Sequence, residues 1–158
     1  MKTFKTEIKW GVILATLTFL VFLISYLLGW QEVETLSKHL SIAFGAFLIG
    51  NLTCLWLGLK EKKGLMAEKG FAYVDALKSG VLITIIAALL GAIFLCCFIC
   101  CINTNFLQVT TDYNIEQKTL MEGEAISCST FLTEFITHSL VIGGVFTLVL
   151  SFFARVKN

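Results

Sequence analysis

The amino-acid sequence predicts an all-α integral membrane protein, and its composition, its charge spacing and its lack of proline support that prediction. Of the 158 residues, 57% are hydrophobic and 15% are charged, and the mean hydropathy is +0.86. An ordinary soluble domain is about a quarter charged, and one of this size has too little interior to bury so much apolar surface. The same figures exclude disordered, collagen-like and coiled-coil chains. We therefore predict a single transmembrane domain over residues 1–158.

Charged residues divide the chain into four apolar segments, each long enough to cross a membrane. A helix needs about 20 residues to cross a ~30 Å hydrocarbon layer, and its backbone groups are satisfied internally, as lipid requires. The sequence thus predicts a four-helix bundle with antiparallel up-down topology and an outer loop at about 103–134. The predicted spans are residues 10–30, 40–59, 79–102 and 135–154.

The positions of lysine and arginine predict the orientation of the bundle. Of the 12 Lys and Arg residues, only Lys38 and Lys118 lie on one face, and the others lie on the opposite face. Cytoplasmic loops carry such an excess of positive charge. Both the N- and the C-terminus are therefore predicted to be cytoplasmic. The first apolar run is longer than that of a signal peptide, so we expect it to remain as a helix.

Four of the six cysteines cluster near the outer end of the third predicted span. Cys97 and Cys100 fit a C-x-x-C pattern, and Cys128 follows in the outer loop, which suggests a thiol–disulfide oxidoreductase. Alternatives are a structural disulfide between Cys101 and Cys128 or a thiolate metal site. Against a reactive site, apolar surroundings disfavour the thiolate, and free cysteine is commonly a small buried apolar residue. The principal interpretation is therefore that no residue is catalytic.

Polar residues on the second and fourth spans suggest two further roles. Glu134 and His138 are four residues apart on one helix face, where they either form a metal or proton site or cap the helix in the headgroup zone. Asn51 lies near the middle of the second span. It is predicted to make an interhelical hydrogen bond worth ~0.6 kcal/mol, and the alternative is a polar lining for a substrate path.

Small residues four apart predict where helix backbones approach each other closely. Gly45, Gly91 and Gly143 are the expected packing positions on the second, third and fourth spans. The pairs at this spacing are Ser41/Gly45, Ala87/Gly91, Ala88/Ala92 and Ser139/Gly143.

Several functional classes lack their sequence signals. No acidic or basic residue lies deep in a predicted span, which disfavours a proton-coupled transporter. The chain has no zinc-protease helix motif, nucleophile elbow or phosphate loop, and no basic domain for nucleic acid. We expect no cofactor and no metal. The expected partners are the lipid bilayer and either a second copy of the chain or another membrane protein.

Three segments and the Gly-containing fourth span, which closes on basic residues, are similar to a known family. The segments are Trp10–Leu14, Leu57–Lys63 and, most distinctive, Gly70–Gly80. In these features the chain resembles the four-span bacterial membrane proteins of domain of unknown function 4199. The resemblance implies a multi-pass protein of the bacterial inner membrane and no catalytic residues.

We therefore expect a non-enzymatic accessory or scaffold protein that acts through helix contacts. The alternatives are the thiol–disulfide oxidoreductase and a small uncoupled channel or transporter.

Overall fold

A computed structural model describes residues 4–66, 70–121 and 123–154 of the chain. The described residues form helices and contain no β-strand, which confirms the all-α prediction. Four helical segments are long and apolar enough to cross a membrane, as predicted. The helices are α1 (Lys5–Leu27), α2 (Leu36–Leu65), α3 (Tyr73–Cys97), α4 (Phe106–Glu116) and α5 (Cys128–Ala154), with a 3-10 turn at Val33–Thr35 and a π-helix at Phe98–Ile102.

Each of the four long helices begins before its predicted span, and α2 also ends after its span, at Leu65. Helix α1 begins at Lys5, before the first predicted span at residue 10. The segment predicted as an outer loop, residues 103–134, contains α4 and the start of α5. Helix α4 forms here because its apolar residues recur at helical spacing and pack on the bundle, with Phe106 1% exposed.

Helix α1 ends in a glycine turn that returns the chain toward α2. Gly29 has a φ of +69°, a left-handed conformation that glycine adopts at little cost. Its N–H donates to the carbonyl of Tyr26 at 3.0 Å, and the N–H of Trp30 donates to the carbonyl of Ser25 at 2.9 Å. These are the two hydrogen bonds of a Schellman motif, which satisfies the last carbonyls of the helix.

Helix α3 occupies the centre of the bundle. It packs most extensively against α1 on one side and α5 on the other, and α2 contacts α1, α5 and, to a lesser degree, α3. Three of the four long helices therefore use α3 as a common surface.

Buried apolar residues form one cluster at each end of the bundle. We call the first the ion-pair end, because Glu7 and Lys62 form a salt bridge there, and the second the aromatic end. The ion-pair end contains Leu55, Leu59, Phe71, Ala76, Ile83, Leu150 and Ala154. The aromatic end contains Phe22, Leu36, Leu95, Phe98, Ile99 and Phe106.

Candidate functional site

A buried salt bridge joins α1 to α2 at the ion-pair end. The Nζ of Lys62 lies 2.8 Å from the Oε1 of Glu7, and the two side chains are 8% and 2% exposed. The hydroxyl of Ser79, at the start of α3, donates to the same Oε1 at 2.8 Å. Within the described residues, the Oε2 of Glu7 is buried without a hydrogen-bond partner. Three helices therefore meet at one carboxylate.

Glu7 is not among the residues predicted to form a site, although its position in the sequence contains a signal. Glu7 precedes Gly11 and Leu14 by four and seven residues, so all three share one face of α1, and all three are buried. Lys62 likewise follows Gly58 by four residues on the buried face of α2. Extending the apolar stripe of each helix beyond its uncharged segment would have identified both charges.

A second, exposed ion pair lies beside the first. The Nζ of Lys9 is 2.7 Å from the Oε2 of Glu61, and the indole N–H of Trp10 donates to the same oxygen at 2.9 Å. An exposed pair of this kind stabilises a protein by at most about 1 kcal/mol. Its contribution here is to fix Trp10 against α2.

Helices α3 and α5 interlock through two glycines and two threonines. A Cβ at Gly80 would lie 2.5 Å from the Cγ2 of Thr147, and a Cβ at Gly143 would overlap the Cγ2 of Thr84. Each glycine stands four residues before a threonine on its own helix, so the two contacts are reciprocal. A Cβ at Gly91 would lie 3.0 Å from the ring of Phe135. Gly143 and Gly91, two of the predicted packing positions, are thus close approaches between α3 and α5.

The third predicted packing position, Gly45, is in an open part of the structure. A Cβ at Gly45 would have no described atom outside its own helix within 4 Å, and Ser41 is exposed. No residue of α2 from Leu40 to Gly50 is buried. A groove of about 460 Å³ lies between this stretch and α1, and one of about 300 Å³ lies between it and α5.

The middle of the bundle contains a few polar side chains around a very small cavity. Asn51 is 2% exposed, and its amide donates to the carbonyl of Phe47 in its own helix at 2.9 Å. Asn51, Thr18, Thr84 and Ser139 line a cavity of about 10 Å³, which is close to the space that one water molecule needs. Over the described chain, the buried Oγ of Ser139 has no hydrogen-bond partner, so a water molecule there would have a polar group to bind.

The thiols at the aromatic end lie mostly at its surface. Cys97, Cys100 and Cys101 are exposed, and Cys128 packs against the aromatic-end cluster. All six cysteines are free thiols.

Glu134 and His138, the predicted metal or proton pair, are both exposed on α5. The Nδ1 of His138 lies 2.9 Å from the backbone oxygen of Glu134 rather than from its carboxylate. Across residues 4–66, 70–121 and 123–154, no group of three or more His, Cys, Asp and Glu side chains is placed to hold a metal ion.

The aromatic end also buries polar residues that the sequence did not indicate. His39 is 0% exposed, with its ring 4.8 Å from that of Phe22 and 5.9 Å from that of Phe106. In the part of the chain that the structure describes, neither ring nitrogen has a hydrogen-bond partner. Elsewhere in the structure, the buried amide of Asn103 donates to the Oε1 of Gln31 at 2.8 Å. This end therefore depends on aromatic packing around a few polar groups.

Together, four apolar helices and the polar contacts between them define a helical multi-pass membrane protein. The family model described as Protein of unknown function (DUF4199) matches residues 9–156. The chain belongs to this family, as the sequence resemblance indicated. Comparisons with the curated proteins and with the solved structures found no match.

Proposed function

We propose that this chain is a non-enzymatic accessory or scaffold protein of the bacterial inner membrane. It crosses the membrane four times with alternating helix direction, and both termini lie in the cytoplasm. Lysine placement supports this orientation, because cytoplasmic segments are enriched in positive charge. The composition of the ion-pair end supports the alternation, because it combines the start of α1 and α3 with the end of α2 and α5.

The open face of α2 is the observation on which this function rests. The small-residue pairs predicted on α3 and α5 are buried against neighbouring helices, whereas Ser41 and Gly45 are not. Helix association in lipid depends on close backbone packing and hydrogen bonds rather than on the hydrophobic effect. A helix with its small residues outward is therefore suited to bind another transmembrane helix.

A matched pair of glycine substitutions tests the helix-contact proposal. Gly45→Leu adds bulk to the open face of α2, and Gly144→Leu adds the same bulk to α5, where a Cβ is also unobstructed within 4 Å. Crosslinking in native membranes is expected to capture a second copy or another membrane protein, and Gly45→Leu is expected to reduce that product several-fold. Equal yields from both variants and the unmodified chain would contradict the proposal.

Reporter fusions test the orientation independently. A fluorescent protein fused after Asn158 is expected to fluoresce, and alkaline phosphatase at the same position is expected to be inactive. A phosphatase fused within the segment between α4 and α5 is expected to be active. The reverse pattern would place the lysine-rich face outside the cell and disprove the orientation.

A further inference from the structure

The groove between α2 and α5 has a mostly aromatic lining. Its volume is about 300 Å³, which is within the range of about 300–1,000 Å³ that is usual for small-molecule sites. The rings of Phe47 on α2 and Phe135 on α5 meet edge to face, with their centroids 6.3 Å apart. The aromatic residues that line the groove are Phe22, Phe44, Phe47, Phe131 and Phe135. The groove is therefore suited to a ligand that carries aromatic rings.

The inner side of this groove reaches a buried hydroxyl group. The residues that line both the groove and the small central cavity are Thr18, Phe47, Phe135 and Ser139. The two spaces therefore adjoin. Ser139 is 5% exposed, and within the described residues its Oγ has no hydrogen-bond partner. Because buried polar groups are normally hydrogen-bonded, this hydroxyl provides an unused polar contact for a ligand.

The exposed polar residues of the lining, Glu134 and His138, provide hydrogen-bond acceptors. Glu134 belongs to neither of the salt bridges that join described residues. The Nδ1 of His138 lies 2.9 Å from the backbone oxygen of Glu134. Since a carbonyl oxygen can only accept, Nδ1 is the donor, and the Nε2 of the neutral ring is an acceptor. No lysine or arginine of the described chain lines the groove, so the charge of its lining is complementary to a cation.

We propose that this groove binds a hydrophobic amine with aromatic rings, in its protonated ammonium form. The rings pack against the phenylalanine side chains, and the positive charge lies near the carboxylate of Glu134 and the aromatic faces. The N–H donors of an ammonium group match a lining whose polar groups can all accept a hydrogen bond.

Two other occupants fit the groove less well. A lipid acyl chain would fill an apolar groove, but it has no charge for the carboxylate and no donor for the acceptors. A second transmembrane helix is about 10 Å across, so it would lie over a groove of about 300 Å³ rather than inside it.

This inference goes beyond the scaffold proposal and does not depend on it. Gly45 is not among the residues that line the groove. The variant Gly45→Leu, which tests the helix contact, is therefore expected to leave amine binding unchanged. The two proposals can fail separately.

Titration calorimetry of the full chain in detergent, with two probes that differ in charge, tests the proposal. The first probe is 3,3-diphenylpropylamine, which is an ammonium cation at pH 7 because alkyl amines titrate near pH 10. The second is 3,3-diphenylpropan-1-ol, which has the same two rings and a neutral hydroxyl group. Protein-free detergent gives the heat with which each probe enters micelles. We expect the unmodified chain to bind the amine about tenfold more tightly than the alcohol.

A matched pair of substitutions tests the role of the carboxylate. Glu134→Gln removes the charge with little change of size, and it should raise the dissociation constant of the amine about fivefold while that of the alcohol stays the same. Glu116→Gln removes an exposed carboxylate that does not line the groove, and it should change neither constant.

A variant on the opposite wall keeps the test valid if Glu134→Gln does not fold. Ala43→Leu narrows the groove from α2 and leaves every charge in place, so it should weaken binding of the amine several-fold. Circular dichroism of each variant provides the folding control. Equal affinities for the two probes would indicate a groove for acyl chains and would overturn the inference. The absence of amine binding, or unchanged binding in Glu134→Gln or Ala43→Leu, would also overturn it.

Discussion

Helices α2 and α3 differ in how much of their length contacts the bundle. Helix α3 has buried residues along its length, from Ala76 to Leu95, and at Gly80 and Thr84 it fits α5 with no space for a further methyl group. Helix α2 is buried at its start, by Leu36 and His39, and over its second half, from Asn51 to Lys62, while Leu40–Gly50 has no buried residue.

The difference shows that one segment of α2, Leu40–Gly50, lacks the contacts that hold the rest of α2 in the bundle. Lipid is as apolar as a leucine side chain, so close packing and polar contacts hold helices together. Helix α3 packs closely against α5, and the second half of α2 combines close packing at Gly58 with the salt bridge of Lys62. Leu40–Gly50 has little of either, which leaves grooves on both of its sides.

The largest effect is expected when the polar attachment of α2 is broken. Lys62→Met leaves the carboxylate of Glu7, which is 2% exposed, without its salt-bridge partner. Removing one member of a buried pair destabilises a protein by about 3–5 kcal/mol. We expect a loss of this size in the free energy of unfolding, measured by denaturant titration in detergent.

A double variant provides the control for that prediction. Glu7→Gln together with Lys62→Met replaces both charges, so most of the lost stability should return. If the single variant unfolds at the same denaturant concentration as the unmodified protein, the buried pair does not hold α2.

An intermediate effect is expected when the interlock of α3 and α5 is disturbed. Gly143→Ala places a methyl group against Thr84, and overpacking of this kind costs about 1–3 kcal/mol. Adding Thr84→Ala removes the obstructing atoms and should restore part of the stability. Thermal unfolding in detergent measures both changes, with Gly144→Ala as the unobstructed comparison. Equal melting temperatures for Gly143→Ala and Gly144→Ala would contradict the packing described here.

The smallest effect is expected in the open segment Leu40–Gly50 of α2. Ala46 lines the groove beside α1, so Ala46→Leu should change the free energy of unfolding by less than about 1 kcal/mol. The same enlargement at Ala88, which is 1% exposed on α3, should cost about 1–3 kcal/mol. Denaturant titration of the two variants compares the helices directly. Equal losses in the free energy of unfolding would show that the groove beside α1 is filled.

The four apolar helices were predictable because uninterrupted apolar segments have one main solution in lipid. Close packing at Gly91 and Gly143 was predictable because each glycine lies four residues from another small residue in the same helix. That spacing can be seen in the sequence of one helix alone. Gly45 has the same local pattern, yet it lies in an open region, because spacing within one helix does not specify which helix faces it.

The polar contacts were harder to predict, because each joins residues that are far apart in sequence. Glu7 and Lys62 both lie outside the predicted spans, and their pairing depends on how α1 and α2 are arranged in the bundle. His39 follows Lys38 in a polar stretch, so nothing local indicated that aromatic rings enclose it.

The π-helix at Phe98–Ile102 acts as a one-residue insertion in an otherwise regular rod. The N–H of Asn103 reaches back five residues to the carbonyl of Phe98 at 2.9 Å, instead of the four of an α-helix. The extra residue turns everything beyond it by about 100°, which directs the Asn103 amide to Gln31. Deleting one residue here would rotate Asn103 away and break its hydrogen bond to Gln31. This segment should therefore accept changes of side chain more readily than a change of length.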